Sequence, residues 1–278
     1  IVLKQLPTFG VVARKAYLHL GGSTGAFRDD PHIYLSAGAV IDPETLREEL
    51  EGHGADKVYV HPFAARIDAK AKEADADTEK RIASTGKGVG PAIMEKLRRA
   101  PGNVYGYGGM GGLVPMRASG AQHSIIKLHG QVCFFEVSQG FSLGINSGFY
   151  PHVTSRECTV AQALADASYP VQALQKVVMT VRAHPIRVGN TEGSSGPGYP
   201  DQRELTWEEL GVPPEYTTVT GRQRRVFEFS RMQFKEAVWV NRPDVIFVNF
   251  MNYLPLSEHD EFIKKNILEA YYEVLQRY

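Results

Sequence analysis

Cysteine is nearly absent: Cys133 and Cys158 are the two in 278 residues, and no C-x-x-C spacing joins them. That excludes a disulfide-stapled secreted scaffold and a cysteine zinc site, and it points to a reducing, cytoplasmic compartment. Excess charge is absent too, since 31 Lys and Arg meet 31 Asp and Glu. No global field therefore draws the chain to nucleic acid or an anionic membrane, and a polyanionic ligand has to be met by a local cluster. No run approaches the roughly 18 apolar residues of a membrane span. The nine histidines lack H-x-x-x-H or H-E-x-x-H spacing, which argues against a zinc site. His61, His129 and His184 lie beside strand residues and read as core or edge histidines.

What is there is enough apolar material, 43% of residues, for a sizeable core. Short apolar runs alternate with helical patterns, which predicts an α/β fold with a mostly parallel central sheet flanked by helices. Strands are expected at 33–41, 57–60, 131–137, 176–188, 226–229 and 245–250, with QVCFFEV and VIFVNF buried by their continuity. Helices are expected after Asp42, which caps, with Pro43 in the first turn and Leu46 and Leu50 inward. Others are expected over 159–167 and 234–240, and from the Thr206 to Glu209 capping box. The last helix, 257–278, keeps Phe262, Ile263, Ile267, Ala270, Tyr271, Val274 and Leu275 on one face. With no internal repeat and no composition shift, 1–278 reads as a single domain.

Glycine clusters at 21–25, 102–112 and 189–198 read as loops, the first two as surface loops. A fourth cluster, STGKGVGP (84–91), invites comparison with a nucleotide phosphate loop. Arg81 stands where that motif needs glycine, and Gly88 where it needs the hydroxyl that ligates Mg²⁺. Its backbone N–H groups still suit an anion at the start of a helix, and an ordinary glycine turn suits the same residues. Polar candidates cluster at EVSQG (136–140), YPHVTSR (150–156) and TTVTGRQRR (217–225). Gln139 follows a strand, at the end where α/β sheets place ligands. It could read a base through its paired donor and acceptor or merely cap a turn. Arg222, Arg224 and Arg225 beside threonine hydroxyls form a local cationic cluster suited to carboxylate or phosphate.

Together STGKGVGPA (84–92), SQGFSLGINSGFYPHVTSRECT (138–159), HPIRVGN (184–190), SGPGYPDQRELTWEELG (195–211) and TVTGRQRR (218–225) resemble the adenylosuccinate synthetase family, in its order and over some two thirds of the chain. In style they are similar to its archaeal and bacteriophage branch. The resemblance implies the P-loop NTPase-like fold of that family and a C–N ligase. A nucleoside triphosphate would phosphorylate O6 of a 6-oxopurine nucleotide, and the amine of L-aspartate would displace that phosphate. Bacteriophage members do this to dGMP, giving 2-amino-N6-succinyl-dAMP for diaminopurine DNA; ordinary members use IMP and GTP. The first substrate set is the leading expectation, and the second stays open, as does a non-catalytic dimeric nucleotide-binding protein. The setting would be cytoplasm, that of the host for a viral protein.

By the same resemblance Thr85 and Arg99 would hold the 5′-phosphate, Arg99 reaching across a homodimer, so that STGKGVGP cradles a monophosphate. Gln139 would fix the purine, Thr154 the phosphate and Val188 the ribose. Thr218, Val219, Thr220, Gly221, Arg222 and Arg224 would bind aspartate, with Gln139, Arg222 and Arg224 carrying catalysis and Arg222 also touching the purine nucleotide. Where the family has Lys-x-Asp to read guanine of GTP, this chain has Asn249, Phe250 and Asn252. An Asn offers one donor and one acceptor and suits adenine, which predicts ATP or dATP as donor, with Phe250 stacked on the base or buried in the sheet. The family's phosphate loop, magnesium ligand, catalytic acidic residue and general-acid histidine, and its C-terminal base-binding segment, are expected outside these 278 residues. The Mg²⁺ cofactor would therefore be held by that N-terminal loop.

Overall fold

The computed structural model of the chain describes residues 2–4, 33–51, 58–99, 102–104, 133–217 and 220–276. Contacts divide it into two compact units, Ile1–Ala76 with Lys87–Gln139 and Val160–Ala173, and Asp77–Gly86 with Gly140–Thr159 and Leu174–Tyr278. Each unit is assembled from three separate stretches, so no composition shift along the chain could have marked a boundary between them.

The first unit contains β1 (Val2–Lys4), β2 (Ile33–Leu35), β3 (Val40–Ile41), α1 (Pro43–Glu51), β4 (Val58–Val60) and β5 (Ala65–Arg66). It continues through α2 (Ala69–Ile82), whose C-terminal end belongs to the second unit, then α3 (Val89–Leu97), β6 (Phe134–Glu136) and α4 (Val160–Asp166). Strands β4, β2, β1 and β6 form a parallel sheet in that order, and β3 pairs with β5, also in parallel. The aliphatic alternation drives this: Ile33, Leu35, Ile41, Leu46, Val58 and Val60 pack into one buried cluster, each full burial contributing about 2 kcal/mol. Pro43 opens α1 as expected, and Asp42 Oδ1 accepts the Glu44 N–H at 3.1 Å. QVCFFEV is not a fully buried strand. β6 is shorter and, among the described residues, stands at an edge of its sheet, with Phe134 38% exposed.

The second unit pairs β7 (Val178–Arg182) with β11 (Val245–Asn249) in parallel, and orders β8 (Ile186–Arg187), β10 (Arg225–Phe227) and β9 (Glu204–Leu205) into an antiparallel sheet. Its helices are α5 (Trp207–Leu210), α6 (Arg231–Asn241), α7 (His259–Phe262) and α8 (Glu269–Gln276), the last two joined by a π-helical stretch, Ile263–Leu268. Phe234, Val238, Ile267, Ala270 and Val274 form its core, with Met179, Val181, Ile246 and Val248 packed against them. The capping box at Thr206 is present in both directions.

Three expectations are corrected here. The strand over 176–188 breaks into β7 and β8 at Ala183–Pro185, where proline lacks the N–H a ladder needs. VIFVNF is buried on one face alone, with Phe247 56% exposed on the other. The final helix begins as a 3₁₀ turn at Leu256–Glu258, and Leu275 is 40% exposed; the wider π turn before it resets which side chains face inward.

Candidate active site

The site is built from the second unit's loops, and Arg222 is its centre. Thr217 is tied to both Gly221 and Arg222: its N–H donates to the Arg222 carbonyl at 2.9 Å, and the Gly221 N–H donates to its carbonyl at 3.0 Å. Gly221 has φ +64, a conformation that a side chain would strain. The Thr217 and Thr220 hydroxyls meet at 2.5 Å, and Thr217 Oγ1 accepts the Arg222 N–H at 3.0 Å. This knot fixes the Arg222 guanidinium. Its Nε donates to Thr220 Oγ1 at 3.0 Å, and Nη2 donates to the carbonyls of Ser84 at 2.8 Å and Ala83 at 3.3 Å. The remaining nitrogen, Nη1, is buried with no hydrogen-bond partner among the described residues. A half-spent buried guanidinium is costly to leave so, and it is the donor a carboxylate or phosphate would complete.

The neighbouring arginines are braced differently. Arg225 holds Glu204 through Nε at 2.7 Å and donates from Nη1 to the Gly196 carbonyl at 2.7 Å and Ser195 Oγ at 3.0 Å. Arg187 donates to the carbonyls of Ser195 and His152 and lies over the Phe149 ring. Burial and the charge of Arg225 pull its guanidinium down to about 10, which still leaves it charged at neutral pH. These two tie the SGPG loop down, and Val188 beside them is half-buried. A cavity of about 450 Å³ runs along this edge, lined among others by Gly189, Asn190, Trp207, Arg222 and Arg224.

A second group forms at the ends of β7 and β11, whose register sets Asn249 beside Arg182. Phe250 follows with φ +60 and is 38% exposed, so it is not buried in the sheet. The Arg182 guanidinium lies 3.5 Å from its ring centroid. Arg182 also pairs with Glu215, which accepts the Tyr253 hydroxyl at 2.9 Å. Burial and then Glu215 push the Tyr253 phenol up. Asn249 and Asn252 are both exposed.

Of the residues singled out from sequence, the fold brings Ser84, Thr220, Gly221 and Arg222 into one network, with Thr85 exposed next to Ser84. Arg224 lies at its rim, with Nε 3.8 Å from Glu215. Thr154 is half-buried, and its N–H donates to the Leu143 carbonyl at 2.8 Å. Arg99 and Gln139 belong to the first unit. Both are exposed with positive φ, +59 and +72, the first ending α3 and the second following β6. In the same unit Gly88 caps α3 with φ +83 and donates its N–H to the buried Asp75 at 2.8 Å. Thr218 and Val219 lie outside the described residues, as does His129. No group of three or more His, Cys, Asp or Glu able to hold a metal occurs among the described residues. Arg182, Glu215 and Tyr253 were not legible in the sequence, because each stands alone in it.

Residues 118–262 match the family model described as adenylosuccinate synthetase. The chain is 42% identical over 242 residues to the N6-succino-2-amino-2′-deoxyadenylate synthase of Vibrio phage phiVC8, an alignment covering 82% of this chain and 69% of that protein. It is 30% identical over 210 residues to the adenylosuccinate synthetase of Archaeoglobus fulgidus, covering 73% and 59%. Among solved structures it resembles the cyanophage S-2L succinoaminodeoxyadenylate synthetase bound to dGMP and to dATP as an energy donor. That match has a TM-score of 0.78 and 28% identity over 98% of this chain and 89% of that one. A fully ligated adenylosuccinate synthetase from Plasmodium falciparum, at 22% identity and TM-score 0.66 over 83% and 64%, shares the fold.

Proposed function

Because the chain belongs to the adenylosuccinate synthetase family, we propose that it condenses L-aspartate with dGMP, driven by dATP or ATP, to form 2-amino-N6-succinyl-dAMP. The donor's γ-phosphoryl group passes to O6 of the purine. The aspartate amine then attacks C6, the C–N bond forms, and inorganic phosphate leaves with O6. The observation that carries this reading is the buried, unpartnered Nη1 of Arg222, held rigidly at the mouth of the TVTG loop. There it can take an aspartate carboxylate or the charge that develops as phosphoryl is transferred.

Arg224 completes the carboxylate clamp with the backbone of Thr218, Val219, Thr220 and Gly221. Thr85 and Arg99 bind the 5′-phosphate, Arg99 from the partner of a homodimer, and Gln139 fixes the purine. Thr154 and Val188 hold phosphate and ribose. Asn249 and Asn252 read the donor base, with Phe250 stacked on it; the exposure of Phe250 and the exchange of an acceptor-only Asp for Asn252 favour adenine. Mg²⁺ would neutralise the donor phosphates. The described residues offer no cluster that fits it, and no step above is routed through it. The setting is the cytoplasm, that of the host for a viral protein.

The test is phosphate release by the protein in its native full length, with aspartate, across IMP, GMP and dGMP against GTP, ATP and dATP. Turnover with dGMP and an adenine nucleotide is expected. Turnover confined to IMP and GTP would replace this reading by the ordinary synthetase, and nucleotide binding without turnover by a non-catalytic protein.

A further inference from the structure

Glu215 lies in the loop between α5 and β10, outside any regular element, yet three elements converge on its carboxylate. Oε1 accepts from Arg182 at the end of β7 and from the Tyr253 hydroxyl at 2.9 Å, in the turn after β11. Oε2 lies 3.8 Å from Arg224 Nε. The backbone repeats the link, since the Arg224 N–H donates to the Glu215 carbonyl at 2.8 Å. Arg182 is thereby laid over one face of Phe250, 3.5 Å from its centroid. Phe250 itself holds φ +60, which is costly for a bulky residue and persists where surroundings enforce it. The Arg182 side chain is 19% exposed and that of Glu215 21%, so neither charge is well served by water.

We propose that Glu215 is a positioning residue that ties the donor-base platform to the aspartate clamp, holding Arg182 flat against Phe250 on one side and restraining Arg224 on the other. The proposal rests on the ligase reading above and adds to it a residue that touches no substrate. A purine stacked on Phe250 would meet a ring whose other face is already covered by a cation, and the aim of that cation depends on the same carboxylate that restrains Arg224. Loss of the carboxylate charge should therefore be felt at two substrates and spared at the third.

The test is steady-state kinetics of Glu215→Gln, Arg182→Met and the double variant in the native full-length protein, varying dATP, aspartate and dGMP in turn. A lost hydrogen bond to a charged group is worth about a tenfold change in binding. Glu215→Gln is expected to raise the KM for dATP and for aspartate by about that factor and to leave the KM for dGMP unchanged. Arg182→Met should raise the KM for dATP alone. The double variant should be no worse for dATP than Glu215→Gln, because one acts through the other. Wild-type KM values in Glu215→Gln, additive effects on dATP, or an equal rise for all three substrates with a lowered melting temperature would overturn the proposal. If Glu215→Gln fails to fold, Glu215→Asp carries the same test, because it keeps the charge and withdraws it by one methylene. Turnover in the wild type with unchanged variants defeats the positioning role alone. A wild type inactive on every purine nucleotide defeats the ligase reading, and this proposal with it.

Discussion

In the first unit the buried polar groups serve the backbone: Asp75 takes the Gly88 N–H at 2.8 Å, and His61 takes the Phe63 N–H at 3.0 Å. In the second unit the arginines serve other side chains and loop carbonyls, Arg182 on Glu215, Arg225 on Glu204, and Arg222 on Thr220 and Ser84. The difference is one of what can be removed. Where a loop is shaped by a glycine with a required φ, its geometry and the stability of the fold are one quantity. Where a loop is presented by arginines, chemistry can be deleted while the apolar core beneath stays intact.

Arg224→Ala should break the second unit's function without its fold. The side chain is 30% exposed, and its two contacts are long, 3.8 Å to Glu215 and 3.5 Å to the Tyr216 carbonyl, so its share of stability is below about 1 kcal/mol. An arginine that stabilises phosphoryl-transfer charge is worth about 10³-fold or more in rate. Ligation should fall by that factor with the melting temperature moved by at most a few degrees. Wild-type turnover would remove Arg224 from the mechanism.

Gly88→Ala is the matching change in the first unit and should act in reverse, on stability first. A Cβ there meets the Ala71 carbonyl carbon and the Lys72 nitrogen, both at 2.9 Å, with φ +83. Both neighbours are backbone and cannot swing aside. A cost of about 1 to 3 kcal/mol follows, or about 2 to 4 °C of melting temperature per kcal/mol in a chain of this size. An unchanged melting temperature would show that the loop can shift, and the contrast between the units would fail.

How much of this was legible follows the same division. Pro43 opening α1 and the Thr206 capping box are local signals, read within a few residues and found in place, whereas the strand expected over 33–41 divides into β2 and β3, which pair in different sheets. Arg222 stood out because TGRQRR concentrates charge in a neutral chain. Glu215 could not stand out, since a lone Glu after Val212-Pro-Pro has no spacing to betray it. Its meaning comes from Arg182, 33 positions earlier, and Tyr253, 38 later. Burial misled for a related reason: VIFVNF is apolar throughout, but it is packed on the α6 and α8 side through Ile246 and Val248 and leaves Phe247 exposed. Continuity of apolar residues does not say how many faces are covered.

The smallest effect uses one buried histidine in each unit. Burial lowers both His61 and His184 below the ordinary value, with Lys96 adding to the first and Arg182 to the second, while Glu228 opposes the shift at His184. The folded state thus binds fewer protons than the unfolded one as the pH falls below about 6.5. Stability is expected to be level above that pH and to decline below it, by at most about 1.4 kcal/mol per pH unit for each proton taken up on unfolding. Both tryptophans, Trp207 and Trp239, lie in the second unit, so indole fluorescence follows that unit while far-ultraviolet circular dichroism follows both. In urea titrations at pH 7, 6 and 5, His184→Gln should flatten the acid decline seen by fluorescence, and His61→Gln the part seen by dichroism alone. If either variant flattens both signals equally, the two units unfold as one, and the contrast between them is a contrast of chemistry without one of stability.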